Sequence, residues 1–247
     1  MNLQEYIDAE NYLRNKYPFN SDFINALNDS TDDRYQIVNA TSHKTSFDTS
    51  QADFNDFDTD FDFVSADVGT TLQLVSTDVS DTMPIILFGL DINKDMIQET
   101  VILTGTLTIN TTNTFTRLNA ILLPVSVSVG DITISGLGFT WGFIGAGKTN
   151  LHPGRYSIPR NYSFVPEVSY FYSDKVGEYK IIIYQKLPGI PAVEALPIYM
   201  YQQSNNLKLL PTSTHGPADI SLQIRKLTGS GTLHASGIFN GILVKDE

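Results

Sequence analysis

From Phe54 onward the apolar residues of this chain recur at every second position, with no intervening helical stripe, and that period constrains the fold more than any other feature. In FDTDFDF (57–63) Phe57, Thr59, Phe61 and Phe63 alternate with Asp58, Asp60 and Asp62. Extended backbone sends successive side chains to opposite faces, so this segment predicts a strand with an aromatic stripe on one face and carboxylates on the other. Strand-like runs follow at 70–76, 84–90, 99–109, 114–118, 121–129 and 131–135. After a glycine-rich stretch they resume at 162–172, 178–185, 195–202, 219–225 and 235–244. Thr, Ile, Val, Tyr and Phe fill these runs, while Gly, Pro, Asn and Asp separate them.

Many short strands without alternating helices predict an all-β fold of sandwich or jelly-roll type. A chain of 247 residues accommodates one large or two modest domains. The expected division is an N-terminal helical or extended arm over 1–53, a first β lobe over 54–140 and a second, jelly-roll-like lobe over 141–247. The seam is expected within the glycine-rich stretch 136–154.

Within the arm, Leu3, Tyr6, Ile7 and Leu13 recur at helical spacing and Pro18 ends the run. Ser21 can cap a second short helix carrying Phe23, Ile24 and Leu27. The polar stretch 28–53 separates these helices from everything downstream. One reading packs the stripe on its own domain; the other docks Leu3, Tyr6, Ile7 and Leu13 on a neighbouring protein chain.

Charge narrows the partners. The formal net charge is −11, and from Asp48 to Asp67 there are seven Asp and no Lys or Arg. Binding to a phosphate backbone needs clustered Lys and Arg, so direct nucleic-acid contact is not expected. No apolar run approaches the roughly 20 residues that span a bilayer, and the N-terminus has no basic segment leading into an apolar one; the expectation is a soluble protein made in the cytoplasm. The chain contains no cysteine, and its four histidines, His43, His152, His215 and His234, are widely separated, which argues against zinc.

Two motifs invite a ligand. Residues 142–149, GFIGAGKT, satisfy the P-loop pattern, in which backbone N–H groups cradle phosphates, Lys148 reaches the β/γ oxygens and Thr149 meets magnesium. That chemistry requires a helix after the loop, and Pro153 and Gly154 oppose one. The expected structure is a turn between strands. Asp53, Asn55, Asp56, Asp58 and Asp60 are calcium-type ligands, but the turn glycine and the closing glutamate are missing, so a solvated strand face is expected. No cofactor and no metal are expected.

No serine sits in a nucleophile elbow and no histidine is tied by motif to a nucleophile, so the chain is read as a non-enzyme. The aromatic cluster Tyr162, Phe164, Tyr170, Phe171 and Tyr172 could form a sugar platform, although such a strand more often serves as core or subunit interface.

Three segments together resemble a family of virion structural proteins of marine tailed bacteriophages. Residues 75–119, VSTDVSDTMPIILFGLDINKDMIQETVILTGTLTINTTNTFTRLN, are similar to that family's Asp-rich turn, apolar strand ending Gly-Leu-Asp, Leu-x-Gly strand end and Phe-x-Arg-x-Asn. GDITISG (130–136) and IGAGKTNLHPGRYSIPRNYSFV (144–165) resemble its Ala-Gly-x-Gly turn and the strand start that follows, with Pro159-Arg160-Asn161 replacing Pro-Ala-Gly. PADISLQIRKLTGSGTLHASGIFNGILV (217–244) resembles its closing Asp-Ile and Phe-x-Gly-Ile-Leu strands. The resemblance covers roughly residues 70–247. It implies a virion protein that binds other particle proteins, as a capsid decoration or cement protein or as a tail component. The alternatives are a receptor- or glycan-binding tail module and, least favoured, a P-loop nucleotide hydrolase. With 12 Tyr and 14 Phe there is more aromatic surface than one sandwich core hides, so a homo-oligomer is expected, with a trimer favoured.

Overall fold

The computed structural model describes residues 35–47, 51–53, 68–151, 155–173, 179–186, 193–200, 204–208, 214–226 and 233–246. Their regular structure is strand throughout. In chain order the first ten are β1 (Tyr35–Phe47), β2 (Gln51–Asp53), β3 (Gln73–Ser76), β4 (Pro84–Leu90), β5 (Met96–Ile102), β6 (Ile109–Asn110), β7 (Arg117–Leu122), β8 (Ile132–Gly136), β9 (Phe139–Ile144) and β10 (Asn150–Leu151). The rest are β11 (Arg155–Ile158), β12 (Tyr162–Ser173), β13 (Tyr179–Lys186), β14 (Val193–Met200), β15 (Ser204–Lys208), β16 (Thr214–His215), β17 (Ala218–Lys226) and β18 (Leu233–Lys245). The all-β expectation holds. The helices expected at 2–16 and 21–27, with Leu3, Tyr6, Ile7 and Leu13, lie outside the described residues, as does the Phe57–Phe63 alternation.

Strands β3 to β10 build a sandwich of two antiparallel sheets, ordered β6-β3-β8-β9 and β10-β7-β4-β5. Alternation explains which faces meet. Leu72 and Leu74 are buried on either side of exposed Gln73, and Ile85 and Leu87 are buried within β4. Ile132 and Ile134 do the same in β8. With Val101, Phe115, Ile121, Trp141 and Ile144 they form one core drawn from both sheets. Each fully buried aliphatic side chain stabilises by roughly 1.5–3 kcal/mol. The single tryptophan is placed by its polar edge: Trp141 Nε1 donates to Gly136 O at 3.0 Å.

The chain changes sheet five times; the β3–β4, β5–β6, β7–β8 and β9–β10 connections gather at one end of the sandwich, and β6–β7 crosses at the other. The opposite end carries the 91–95 turn, where the Asp91 side chain accepts from Asn93 N and Asp95 N at 2.8 and 2.9 Å. Gly89 allows β7 to come close: a Cβ there would meet Arg117 O at 2.1 Å.

The remaining strands form two more antiparallel sheets, β1-β18-β12-β15 with β16 on β12, and β11-β17-β13-β14 with β2 on β17. Residues 35–47 and 51–53, read from sequence as part of a polar arm, are therefore strands. β1 pairs with β18 from Tyr35↔Val244 to Phe47↔Leu233, and β2 pairs with β17. β9 runs through residue 140 and belongs with β10 to the first sandwich.

Two predicted strands are overturned. The run 99–109 is split between β5, which ends at Ile102, and β6 in the opposite sheet, because Gly105 at φ +65 turns the chain between them. The run 121–129 is strand only to Leu122; Pro124 cannot donate to a ladder, and 124–129 is loop. Its Val-Ser alternation is inverted there, with Ser128 buried and Val127 and Val129 exposed.

Candidate functional site

The end of the sandwich where the four connections gather is built around one carboxylate. Asp81 is fully buried and accepts from Ser76 Oγ at 2.5 Å, Val129 N at 2.8 Å and Gly130 N at 2.9 Å. Its own carbonyl accepts from Gly105 N at 2.9 Å, and Gly105 O accepts from Ser76 N at 3.0 Å. The 77–83, 103–108 and 123–131 connections are thus tied through a single residue. Gly105 has φ +65, and a Cβ there would lie 2.5 Å from Val79 O, so both conformation and space demand glycine.

The fourth connection, 145–149, is tied in turn. Gly147 N donates to Ser128 O at 2.8 Å, Ser128 N to Lys148 O at 3.1 Å and Leu123 N to Thr149 O at 2.6 Å. This is where the P-loop-like motif falls. It is a tight turn between β9 and β10, with Gly147 at φ 76. Three of its N–H groups are already used: Ala146 N on Asp131 Oδ1 at 2.9 Å, Gly147 N on Ser128 O and Lys148 N on Gly145 O at 3.1 Å. A phosphate cradle needs those donors open and a helix behind them. Lys148 is exposed on the turn.

Above this tied base stand Val79, Leu107, Val125, Val127 and Val129, exposed by 74, 70, 73, 49 and 58 %. Single exposed aliphatics are ordinary on a protein surface; five on three of the four interlocked loops make a patch of the kind that meets another protein. Charge is sparse: the four connections carry Asp78, Asp81, Asp131 and Lys148, of which Asp81 is buried and Asp131 is engaged with Ala146. Asp78 accepts from Ser80 Oγ and Ser80 N, which holds its carboxyl below the usual carboxylate range. Sequence reading missed this apex because Val125–Val129 mimics a strand. Pro124 was the available signal.

A second constellation joins the two halves. Arg117 Nε and Nη2 donate to Asp219 Oδ1 and Oδ2, both at 2.9 Å, and Ser157 Oγ donates to Asp219 Oδ1 at 2.7 Å. Asn119 pairs with Ser157 as a strand would: Nδ2 to Ser157 O at 2.9 Å, and Ser157 N to Oδ1 at 3.0 Å. Tyr156 is partly buried beside this pair, its ring centroid 6.2 Å from that of Phe164. Burial, then the neighbouring Tyr162, push the Tyr156 hydroxyl up from its ordinary range, against a hydrogen bond with Asn119. Arg117, Asn119, Ser157 and Asp219 lie in three separate segments of the chain, and the fold brings them together.

A third cluster has triad composition without triad geometry. Ser163 Oγ donates to Asp246 Oδ1 at 2.5 Å and lies 2.7 Å from His215 Nδ1, while Asp246 Oδ1 is 3.9 Å from the same nitrogen. Serine and aspartate share one side of the ring, the hydroxyl proton goes to the carboxylate, and Ser163 is buried. An activated serine needs the opposite arrangement, with the two groups on different ring nitrogens. The cluster clasps β16 and the end of β18 to β12, helped by Asp246 N to Asn161 O at 2.8 Å.

Phe164 is buried in the core, which removes it from any sugar platform; the side chains of Tyr170, Phe171 and Tyr172 lie outside the described ones. Of the calcium-type residues only Asp53 is described, in β2, and no group of three metal-ligating side chains occurs among the described residues.

No protein-family model matches the chain, and no curated protein matches it in sequence. Among solved structures it is similar to the VP2 subviral particle of infectious bursal disease virus, with 11 % identity and a TM-score of 0.24 over 90 % of this chain and 77 % of that one. The Gx strain of the same virus gives 12 % and 0.23 over 89 % and 73 %. The Gt strain gives 11 % and 0.21 over 91 % and 83 %. Superposition at that level is too loose to carry either the architecture or the role of this chain.

Proposed function

We propose that this protein is a structural component of a tailed-phage virion and works by binding other protein chains of the particle, as a capsid decoration or cement protein or as a tail component. The observation that carries the reading is the apex: five exposed aliphatic side chains on loops locked to one another through buried Asp81. A rigid apolar patch loses little conformational entropy on docking, which favours a permanent protein contact. The sequence resemblance supplies the particle. The residues that carry it serve as ties in the fold: Asp81, Gly105 and Gly130 at the apex, and Arg117, Asn119, Ser157 and Asp219 at the junction.

Leu3, Tyr6, Ile7 and Leu13 complete the proposal as a second anchor, docking in trans on a neighbouring chain. The test is incorporation. Particles assembled with Val125→Asp/Val127→Asp protein should lack it, while the purified variant keeps its β circular dichroism and melting temperature. Full incorporation of that variant would refute the apex as the docking surface, and imaging of wild-type particles would locate the chain in head or tail.

A further inference from the structure

Strand β5 is the outer strand of its sheet: β4 pairs with it on one side, and among the described residues no strand pairs with it on the other. The ladder shows which backbone groups this leaves open. Asp91 N donates to Asp95 O at 3.0 Å and Leu103 N to Met83 O at 3.1 Å, in step with the Pro84↔Ile102 register. The odd-numbered residues from 95 to 103 therefore face β4. In an antiparallel pair each residue turns its N–H and C=O the same way, so Met96, Gln98, Thr100 and Ile102 turn theirs to the open edge.

Proteins usually blunt such an edge with lysine, proline or a bulge. β5 has none of these: the β4–β5 ladder runs without a register shift, and the four residues are uncharged. All four side chains are exposed, Met96 by 38 % and Ile102 by 56 %. On a chain of net charge −11 the even positions of this strip set no charge against a second copy.

The strip is also complementary to itself. Read by residue class, MIQETVI is the same in both directions about Glu99, with Met96 answering Ile102, Ile97 answering Val101 and Gln98 answering Thr100. Glu99, the one charge, is drawn inward, where its carboxylate accepts from Thr112 N at 2.6 Å and Asn113 N at 2.8 Å. A self-complementary patch is what a two-fold contact requires.

We propose that β5 pairs antiparallel with β5 of a second copy about an axis through Glu99, joining two four-stranded sheets into one. Met96 of each copy then stands opposite Ile102 of the other, and the open N–H and C=O groups of the even positions close the new ladder. This inference is independent of the virion reading and is tested on the isolated full-length protein. The edge encodes a two-fold contact, whereas the trimer expected from sequence rested on β-rich composition together with aromatic content.

Thr100→Pro removes an outward N–H without touching the β4 ladder, a substitution that edge strands tolerate. In sedimentation velocity the wild type should pass from monomer to dimer as concentration rises, and Thr100→Pro should weaken the dimer roughly tenfold or more. Ile102→Glu should also weaken it, and Met96→Lys/Ile102→Glu should restore it, because only this register sets the new lysine opposite the new glutamate. These two exposed-face variants decide the matter even where the proline variant unfolds. A wild type that stays monomeric, singles that dimerise normally, or a double variant that fails to recover would each overturn the proposal.

Discussion

Arg117 grips Asp219 through two parallel hydrogen bonds of 2.9 Å, between residues 102 positions apart in the chain. Both residues are buried, so the pair was removed from water to join β7 of the first sandwich to β17. Breaking one partner of such a pair leaves an uncompensated charge in the interior. Arg117→Ala should cost about 3–5 kcal/mol in urea denaturation, whereas Arg117→Met/Asp219→Leu should cost markedly less. Equal losses would mean that the charge is not what matters at this junction.

Asp81 makes a different prediction because its partners are backbone. Asp81→Ala leaves Val129 N and Gly130 N without their acceptor and should destabilise by roughly 3 kcal/mol. The damage should be local: limited proteolysis should cut within 77–82 and 124–130 first, and the variant should be lost from particles.

Tyr156 sets an alkaline limit. Its folded pKa is raised above the ordinary value, so the folded state holds the phenol proton more tightly than the unfolded state does. Stability from this group is full below about pH 10 and falls as pH rises beyond it, with a slope approaching about 1.4 kcal/mol per pH unit. Tyr156→Phe should flatten that alkaline loss in denaturation curves taken from neutral pH upward. An unchanged slope would contradict the assignment.

Lys148→Ala should leave melting temperature and particle assembly unchanged, since the side chain is exposed on a turn that has three N–H groups spent on Asp131, Ser128 and Gly145. Isothermal titration of ATP into wild type and variant checks this. Binding by the wild type that vanishes in the variant would revive the nucleotide reading.

The arm prediction is sharpened by β1 and β2. A protein beginning at residue 35 keeps β1 on β18 and should retain its β signature and stability while failing to enter particles. One beginning at residue 54 also loses β1 and β2, which bares an edge of β18, and it should melt lower and aggregate. Normal incorporation of the residue-35 form would show that Leu3, Tyr6, Ile7 and Leu13 are dispensable.

Where local pattern and packing agreed, the fold was legible. Leu72 and Leu74, Ile85 and Leu87, and Ile132 and Ile134 are core because alternation on an extended backbone leaves them one common face. β4 begins and ends where its turn residues say it should, at Pro84 and Leu90. β9 was hidden because glycines break its apolar run, although Trp141, Gly142 and Ile144 are all buried. β1 was hidden because its alternation is too polar to stand out from a linker.

The candidate site was less legible, for a physical reason. The sequence by itself determined the period, and through it the strand class, the inward face of the first sandwich and the failure of GFIGAGKT to open a helix. Period is a local property, carried by residues two apart. Only the tertiary structure decided that Ser128 turns inward while Val127 and Val129 face solvent, that one carboxylate at Asp81 ties three loops, and that Arg117 meets Asp219. Those outcomes depend on which strands stand opposite each other and in what register, and the free energy that selects a register comes from contacts between residues far apart in the chain.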